Sequence, residues 1–220
     1  MKKDETIYWI DSLMPEGEAS VVELAGFTVR LIDTGGEVVA STVDFAQIPH
    51  GMTAPAAATT GPVTVGENST ATFTADVRPE IFTVIAGGEK EMELAARAVA
   101  AAAGLVRDSG GRVLAQPGQL LAGVGVLALA DADETLTVKH GLLTVPWVWE
   151  DGVPHMIEQP GKVTAAGPDD RQDGNLGRMT VMLQLVLLTE DEYHHALAYG
   201  VTGLQEALIE QGADVTDPRR

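Results

Sequence analysis

The chain of 220 residues contains no cysteine, few aromatic residues and few basic ones. Without cysteine it has no disulfide bond, no thiolate metal ligand and no thiol nucleophile. Aromatic residues make up 5 % of the chain and hydrophobic residues 45 %, so the core must consist mainly of aliphatic side chains and alanine. A chain of this length and composition has enough apolar residues for one large domain.

Basic residues are outnumbered, with 14 lysines and arginines against 32 aspartates and glutamates, and the formal net charge is -18 at pH 7. Small soluble domains commonly carry a net charge of about 2 to 8 in magnitude. Phosphate contacts need lysine and arginine, so we expect neither nucleic acid nor an anionic membrane as a partner. The charge predicts instead that any protein partner is basic, because long-range attraction would steer it to this surface.

Long hydrophobic runs are also missing. No run approaches the roughly 18 apolar residues of a membrane-spanning helix. The charged start MKKDETIYWIDSL, residues 1–13, contains no apolar stretch of signal-peptide length. We therefore expect a cytoplasmic protein.

Six segments predict β-strands from their apolar and β-branched residues. They cover residues 21–33, 38–45, 79–87, 142–152 and 181–188, and the part of the segment 113–134 that follows its turn at Gln116-Pro117-Gly118. A Gly-Gly turn at residues 35–36 joins the first two into a hairpin. In the segment 142–152, alternation places Trp147 and Trp149 on one face, either as core residues or, if that face is exposed, as anchors for a partner.

Helices are predicted from helix-forming composition and from capping signals. Residues 88–103 form an alanine-rich helix that we expect to end at Gly104. After the last strand, Thr189 and Glu192 have the spacing of a capping box at the start of a helix that closes at Gly200. Thr202 can cap a second helix, which ends near Gly212.

Together these segments predict one α+β domain over residues 1–220, with a mixed or antiparallel β-sheet flanked by helices.

The strongest candidate for chemistry is the cluster Glu192, His194 and His195. Glu192 and His195 are three residues apart, which is half of a carboxylate-bridged metal site. The sequence has no second Glu-x-x-His pair, and adjacent histidines on a helix point about 100° apart. Helix capping accounts for the acidic residues, so we predict no metal site, no catalytic residue and no cofactor. The alternative, a metal-binding protein or enzyme that uses Glu192, His194 and His195, stays open.

Two weaker patterns also occur. The run from Gly123 to Ala128 matches G-x-G-x-x-A, but we interpret the segment VLALADADETLTV, residues 126–138, as a strand with turns, whereas the dinucleotide fingerprint requires a helix there. His155 lies near Glu150 and Asp151, where a general base is conceivable. A single surface histidine near a turn is the more ordinary interpretation.

A long polar loop is predicted at residues 160–178, rich in glycine, proline and aspartate. Loops of this length are often functional in compact domains. Its residues Asp169, Asp170 and Asp173 could contact a basic partner or a cation. These three aspartates, together with Trp147 and Trp149, are the residues that we predict to bind a partner.

Several motifs occur in a familiar order. Residues 183–215 contain an apolar strand, a Thr-capped acidic helix, a glycine and a second helix, and Asp217-Pro218-Arg219 follows them. Four motifs lie upstream in the chain: His50–Thr53, Arg78–Phe82, the alanine-rich helix at 94–106 and Pro117-Gly118. In this order, over about residues 40–220, they resemble the suppressor-of-fused-like domain family in its bacterial type.

The resemblance implies an α/β sandwich that acts as a non-enzymatic protein-binding module and brings no catalytic residues. In animals such domains restrain a transcription factor in Hedgehog signalling, and similar bacterial domains look like immunity proteins that neutralise polymorphic toxins. For this chain it implies an immunity protein for a basic toxin, to which the acidic charge would be complementary. A structural subunit of an oligomer is a further alternative, and the oligomeric state is left open.

Overall fold

The computed structural model describes residues 1–49, 51–57, 72–128, 136–149, 152–158 and 177–220, with the backbone alone at 55–57 and 72–74. The strands are β1 Glu18–Leu24, β2 Phe27–Asp33, β3 Glu37–Thr42, β4 Thr53–Ala57, β5 Thr72–Ala86, β6 Leu120–Leu121, β7 Val138–Thr144, β8 His155–Glu158 and β9 Gly177–Thr189. The helices are α1 Lys3–Leu13, α2 Glu89–Asp108, α3 Val124–Ala128 and α4 Glu190–Gln211, and a 3₁₀ turn covers Phe45–Gln47.

The nine strands form one mixed sheet in the order β1-β2-β3-β5-β9-β7-β6, while β4 also pairs with β5 and β8 with β9. The central strands β5 and β9 run parallel, with Ile81 opposite Leu183, and the other described pairs are antiparallel. The four helices named above flank this sheet. The prediction of an α+β domain with a mixed sheet flanked by helices is thus confirmed.

One face of the sheet is covered by α2 and α3. The buried side of α2 is mostly alanine, so its backbone lies close to the strands. Val29, Ile81 and Leu185 point into this core from three strands and are fully or almost fully buried. Burying an aliphatic side chain of this size contributes roughly 1.5–3 kcal/mol. The apolar cluster in this layer is larger than either of the two clusters on the opposite face.

The opposite face carries α1 and α4. Trp9 of α1 packs with Phe82 and Met182, and Leu208 of α4 packs with Val186. The alternation of β9 side chains separates this face from the α2 face. None of the helices in the described part of the chain is both long and apolar enough to cross a bilayer.

The first predicted strand, residues 21–33, is in fact two strands. Ala25 and Gly26 have positive φ angles of 51° and 81° and form a tight turn between β1 and β2. The predicted Gly-Gly turn is confirmed, since β2 and β3 pair in antiparallel register across residues 35–36. The missed turn contains one glycine preceded by alanine, which is a weak turn signal.

Helix α2 does not end at Gly104, as the sequence predicted, but continues to Asp108. Glycine costs about 1 kcal/mol inside a helix. The extra turn buries Val106, which contributes more than glycine costs. The left-handed φ angles come later, at Gly110 and Gly111.

The turn predicted at Gln116-Pro117-Gly118 is confirmed, since the Gln119 N–H donates to the Gln116 carbonyl oxygen and Gly118 has a φ of 90°. The strand predicted after this turn, up to residue 134, is wrong for most of its described part. Only Leu120–Leu121 pair as a strand, and Val124–Ala128 form a short helix, α3. A short apolar run is typical of both a buried strand and a buried helix, so periodicity cannot separate them. The strand expected at the end of the G-x-G-x-x-A pattern is therefore also wrong, because these residues are helical. The pattern still does not fit a dinucleotide-binding motif. That motif belongs to a parallel βαβ unit, whereas β6, the strand before α3, pairs antiparallel with β7.

Candidate protein-binding groove

The segment after β7 crosses the sheet face between α1 and α4. The strand predicted over residues 142–152 ends at Thr144. Pro146 has no backbone N–H and so cannot donate a hydrogen bond to a neighbouring strand. The backbone N–H of Trp147 instead donates to Oε1 of Gln184, at 2.7 Å. Gln184 is a buried side chain of the central strand β9, so this hydrogen bond fixes the crossing segment to the middle of the sheet.

The two tryptophans have different surroundings. Trp149 lies against Phe82, with 5.0 Å between ring centroids, and joins the cluster beneath α1. Trp147 is 38 % exposed and lines a groove beside α4. Of the two predicted anchors, Trp147 is therefore accessible to a partner and Trp149 packs on the core.

The groove beside Trp147 has a volume of about 520 Å³. Its other side is the last turn of α4 and the residues after it, among them Leu208, Ile209 and Val215. Gly212 ends the helix with a left-handed φ of 61°, as the sequence predicted, and lets the chain turn back along the groove. Ile209 is 81 % exposed, although isoleucine is among the residues most often fully buried. We name this feature the Trp147 groove.

The surroundings of the Trp147 groove are acidic. No lysine or arginine occurs from residue 179 to residue 218, while Glu206, Glu210 and Asp214 are exposed and each is next in sequence to a residue that lines the groove. Arg220 donates to the carbonyl oxygen of Val215, but its charge is paired with Glu192. The Thr216 hydroxyl donates to Asp214 at 2.7 Å, and this hydrogen bond lowers the pKa of the Asp214 carboxyl. The groove thus combines apolar side chains with neighbouring negative charge.

Glu192, His194 and His195 are not brought together as a metal site. The predicted capping box is confirmed, because Glu192 Oε2 accepts from the Thr189 N–H at 2.8 Å and the Thr189 hydroxyl accepts from the Glu192 N–H. His194 Nε2 lies 3.1 Å from Glu190 Oε1, and the His195 ring lies against the Tyr199 ring at a tilt of 41°, with 4.6 Å between centroids. Within the described ranges no group of three His, Asp or Glu side chains could hold a metal ion.

A cluster that the sequence did not indicate surrounds Glu190. His140 Nε2 lies 3.2 Å from Glu190 Oε2, and its Nδ1 accepts from the Gly123 N–H at 3.1 Å. Both ring nitrogens are thereby occupied, with Nε2 as the donor to the carboxylate, and neither has a free lone pair for a metal. The hydrogen bond from His140 lowers the pKa of Glu190. The two residues are 50 positions apart in the sequence, which explains why no sequence motif shows their contact.

Glu80 is a second residue whose environment the sequence did not reveal. Its side chain is fully buried on β5. The carboxyl group lies 2.6 Å from the Thr42 hydroxyl and accepts from the N–H groups of Phe45 and Ala46. Burial raises the pKa of Glu80 to about 8, above its ordinary value of 4.5.

Several predicted residues lie outside the described ranges. They are Asp169, Asp170, Asp173, His50, Glu150 and Asp151. The loop prediction stays a prediction for residues 160–176, whereas residues 177–178 belong to β9, so the predicted loop extends too far. The general-base pattern at His155 also stays a prediction. For His155 itself, the ring Nδ1 is 3.0 Å from the Val153 carbonyl oxygen.

No family model matches the chain, and no curated protein matches it. The resemblance to the suppressor-of-fused-like family therefore stays a prediction from the sequence motifs.

Proposed function

We propose that this chain is a non-enzymatic protein-binding module and that the Trp147 groove binds its partner. The observation that carries the proposal is the pairing of two exposed apolar side chains, Trp147 and Ile209, across one groove. Partly exposed tryptophan is among the residues that contribute most to binding when a partner covers it.

The acidic surroundings indicate what the partner looks like. Glu206, Glu210 and Asp214 would attract lysine or arginine that flanks an inserted apolar side chain on the α4 side. A basic, amphipathic segment of a protein fits this pattern, and the overall charge of -18 would speed its approach. The suppressor-of-fused resemblance supports an immunity protein for a basic toxin as the biological role.

The metal or enzyme alternative is less well supported by the contacts around α4. Glu192 is bound by Thr189 and by the guanidinium of Arg220. His194 and His195 contact other side chains.

The test is affinity capture of partners from the native lysate with tagged protein, at low and high salt, followed by titration of the purified partner. We expect one stoichiometric basic protein that elutes with salt. Ile209→Arg and Trp147→Ala should each weaken its binding at least tenfold. Leu197→Arg, on an exposed position of the first half of α4, is the matched control and should bind within twofold of the wild type.

Equal binding by wild type and Ile209→Arg would contradict the groove, and an acidic partner would contradict the charge argument. The aspartate loop is tested separately by changing Asp169, Asp170 and Asp173 to lysine. Slower association at low salt would place the loop near the partner, and unchanged kinetics would remove it.

A further inference from the structure

A second groove lies on the α2 side of the sheet, away from the Trp147 groove. Its floor is the outward side of α2, where Ala101 and Gly104 leave the helix backbone uncovered. A Cβ atom added at Gly104 would meet nothing within 4 Å, which shows that the space above it is open. The volume is about 700 Å³, within the roughly 300–1,000 Å³ of small-molecule sites.

The walls of this groove are apolar. Leu24 at the end of β1, Leu105 of α2 and Val113 are half-buried and pack against the main core. Leu127 of α3 lines the opening and is 55 % exposed. No aromatic side chain is among the described residues that line it, so it offers no stacking platform for a nucleobase.

Three arginines line the same groove, Arg97, Arg107 and Arg112, in a chain with only 14 basic residues. Arg107 is held in place by Asp108 at 2.7 Å, by the Ala25 carbonyl at 3.2 Å and by the Phe27 ring at 4.7 Å. We name this feature the arginine groove.

Arg112 is the arginine best placed to bind a ligand. Its Nε donates to the Ser109 carbonyl oxygen at 2.9 Å. In the part of the chain that the structure describes, its terminal nitrogens make no hydrogen bond and no carboxylate lies within 4 Å of them. A guanidinium with free terminal N–H groups is suited to a carboxylate, which it can hold by two parallel hydrogen bonds.

We propose that the arginine groove binds a long-chain carboxylate, a fatty acid, with its headgroup on Arg112 and its hydrocarbon chain along Gly104 and Leu105. The apolar walls would contact the hydrocarbon chain, and the guanidinium would hydrogen bond with the carboxylate headgroup. A small hydrophilic anion would lack the apolar contacts and would be repelled by the net charge of -18. At physiological salt the Debye length is about 8 Å, so the repulsion from distant carboxylates is largely screened. The arginines in the groove therefore dominate the electrostatic part of fatty-acid binding, and the apolar contacts add to it.

This site is independent of the proposed protein partner. Leu185, beneath α2, and Val186, beneath α4, are neighbours on β9 and point to opposite faces of the sheet. A basic protein partner would be repelled by the arginines, whereas a fatty acid would be attracted by them. Ile209→Arg should therefore leave fatty-acid binding within twofold of the wild type.

The test is titration calorimetry with dodecanoate below its micelle concentration, with dodecanol and acetate as comparison ligands. We expect saturable binding of one dodecanoate per chain, at least tenfold tighter than dodecanol, and no binding of acetate. Arg112→Glu should weaken dodecanoate at least tenfold and leave dodecanol within threefold. Gly104→Leu should fill the groove and abolish binding of both.

Two control variants match these changes. Lys90→Glu makes the same charge change on the first turn of α2, outside the groove, and Ala198→Leu adds a leucine on an exposed face of α4. Both should bind dodecanoate within twofold of the wild type, and thermal unfolding confirms that every variant is folded. The proposal is overturned if dodecanoate does not saturate, if Gly104→Leu still binds it, or if Lys90→Glu weakens it as much as Arg112→Glu.

Discussion

The guanidinium of Arg220 makes two parallel hydrogen bonds with the carboxylate of Glu192, Nε to Oε1 and Nη2 to Oε2, both 2.8 Å long. Their side chains are only 10 % and 15 % exposed. Arg220 also donates to the carbonyl oxygens of Leu187, Val215 and Asp217. The pair therefore fastens the segment after α4 to the junction of β9 and α4, next to the Trp147 groove.

Replacing Arg220 by methionine should lower the free energy of unfolding by about 3 kcal/mol, because the variant leaves a largely buried carboxylate without its cation. Glu192→Gln should lower the free energy of unfolding by less than Arg220→Met does, since glutamine still completes a capping box. Urea denaturation of both variants and of the double variant gives the coupling energy, which we expect to exceed about 1 kcal/mol. Lys3→Met is the control, because its ion pair with Glu23 is exposed to solvent and is expected to contribute little to stability. Equal losses for Arg220→Met and Lys3→Met would contradict the assignment.

Thr189→Ala should destabilise the protein by about 1 kcal/mol, because it removes the hydroxyl that accepts from the Glu192 N–H. The sequence predicted that Thr202 caps a second helix, but its hydroxyl has no hydrogen-bond partner among the described residues. The break between the two halves of α4 lies at Gly200, with a φ of 78°. Thr202→Ala is thus the matched control, with an expected change under about 0.5 kcal/mol in the same urea titration. A larger loss at Thr202 than at Thr189 would reverse the interpretation.

Stability should fall as the pH rises from 4.5 to about 8, because the pKa of Glu80 is raised to about 8 by burial. The folded chain then keeps a proton on Glu80 that the unfolded chain releases, so its contribution is complete below pH 4.5 and is lost as the pH approaches 8. The loss is on the order of 1 kcal/mol per pH unit.

Glu80→Gln should remove this fall, because glutamine is neutral and can still hydrogen bond with Thr42 and the 3₁₀ turn. Urea titrations at pH 5, 6.5 and 8 compare it with the wild type and with Glu206→Gln, an exposed change of the same charge. Parallel pH profiles for wild type and Glu80→Gln would show that Glu80 is not protonated in the folded chain.

Two helical glycines should respond in opposite directions to alanine. An added Cβ at Gly125 would lie 2.7 Å from the Val138 carbonyl oxygen, so Gly125→Ala should cost roughly 1–3 kcal/mol through overpacking. Gly104 faces open space, and Gly104→Ala should leave stability unchanged or raise it by up to about 1 kcal/mol. Thermal unfolding of both variants checks this, and a loss at Gly104 would show that the floor of the arginine groove is closed.

The sequence by itself determined the features that depend on neighbouring residues. The α+β class, the buried strand at β9, the cap formed by Thr189 and Glu192 and the helix end at Gly212 all result from patterns a few residues long. The end of α2 was misplaced at Gly104 because burial of Val106 outweighs the local preference of glycine.

The tertiary structure alone decided which side chains meet. Trp147 reaches α4, His140 reaches Glu190 and Arg220 reaches Glu192 across tens of residues. These contacts depend on the order of strands in the sheet and on the face that each helix covers. Local patterns carry little information about either, because many strand orders bury the same apolar side chains equally well.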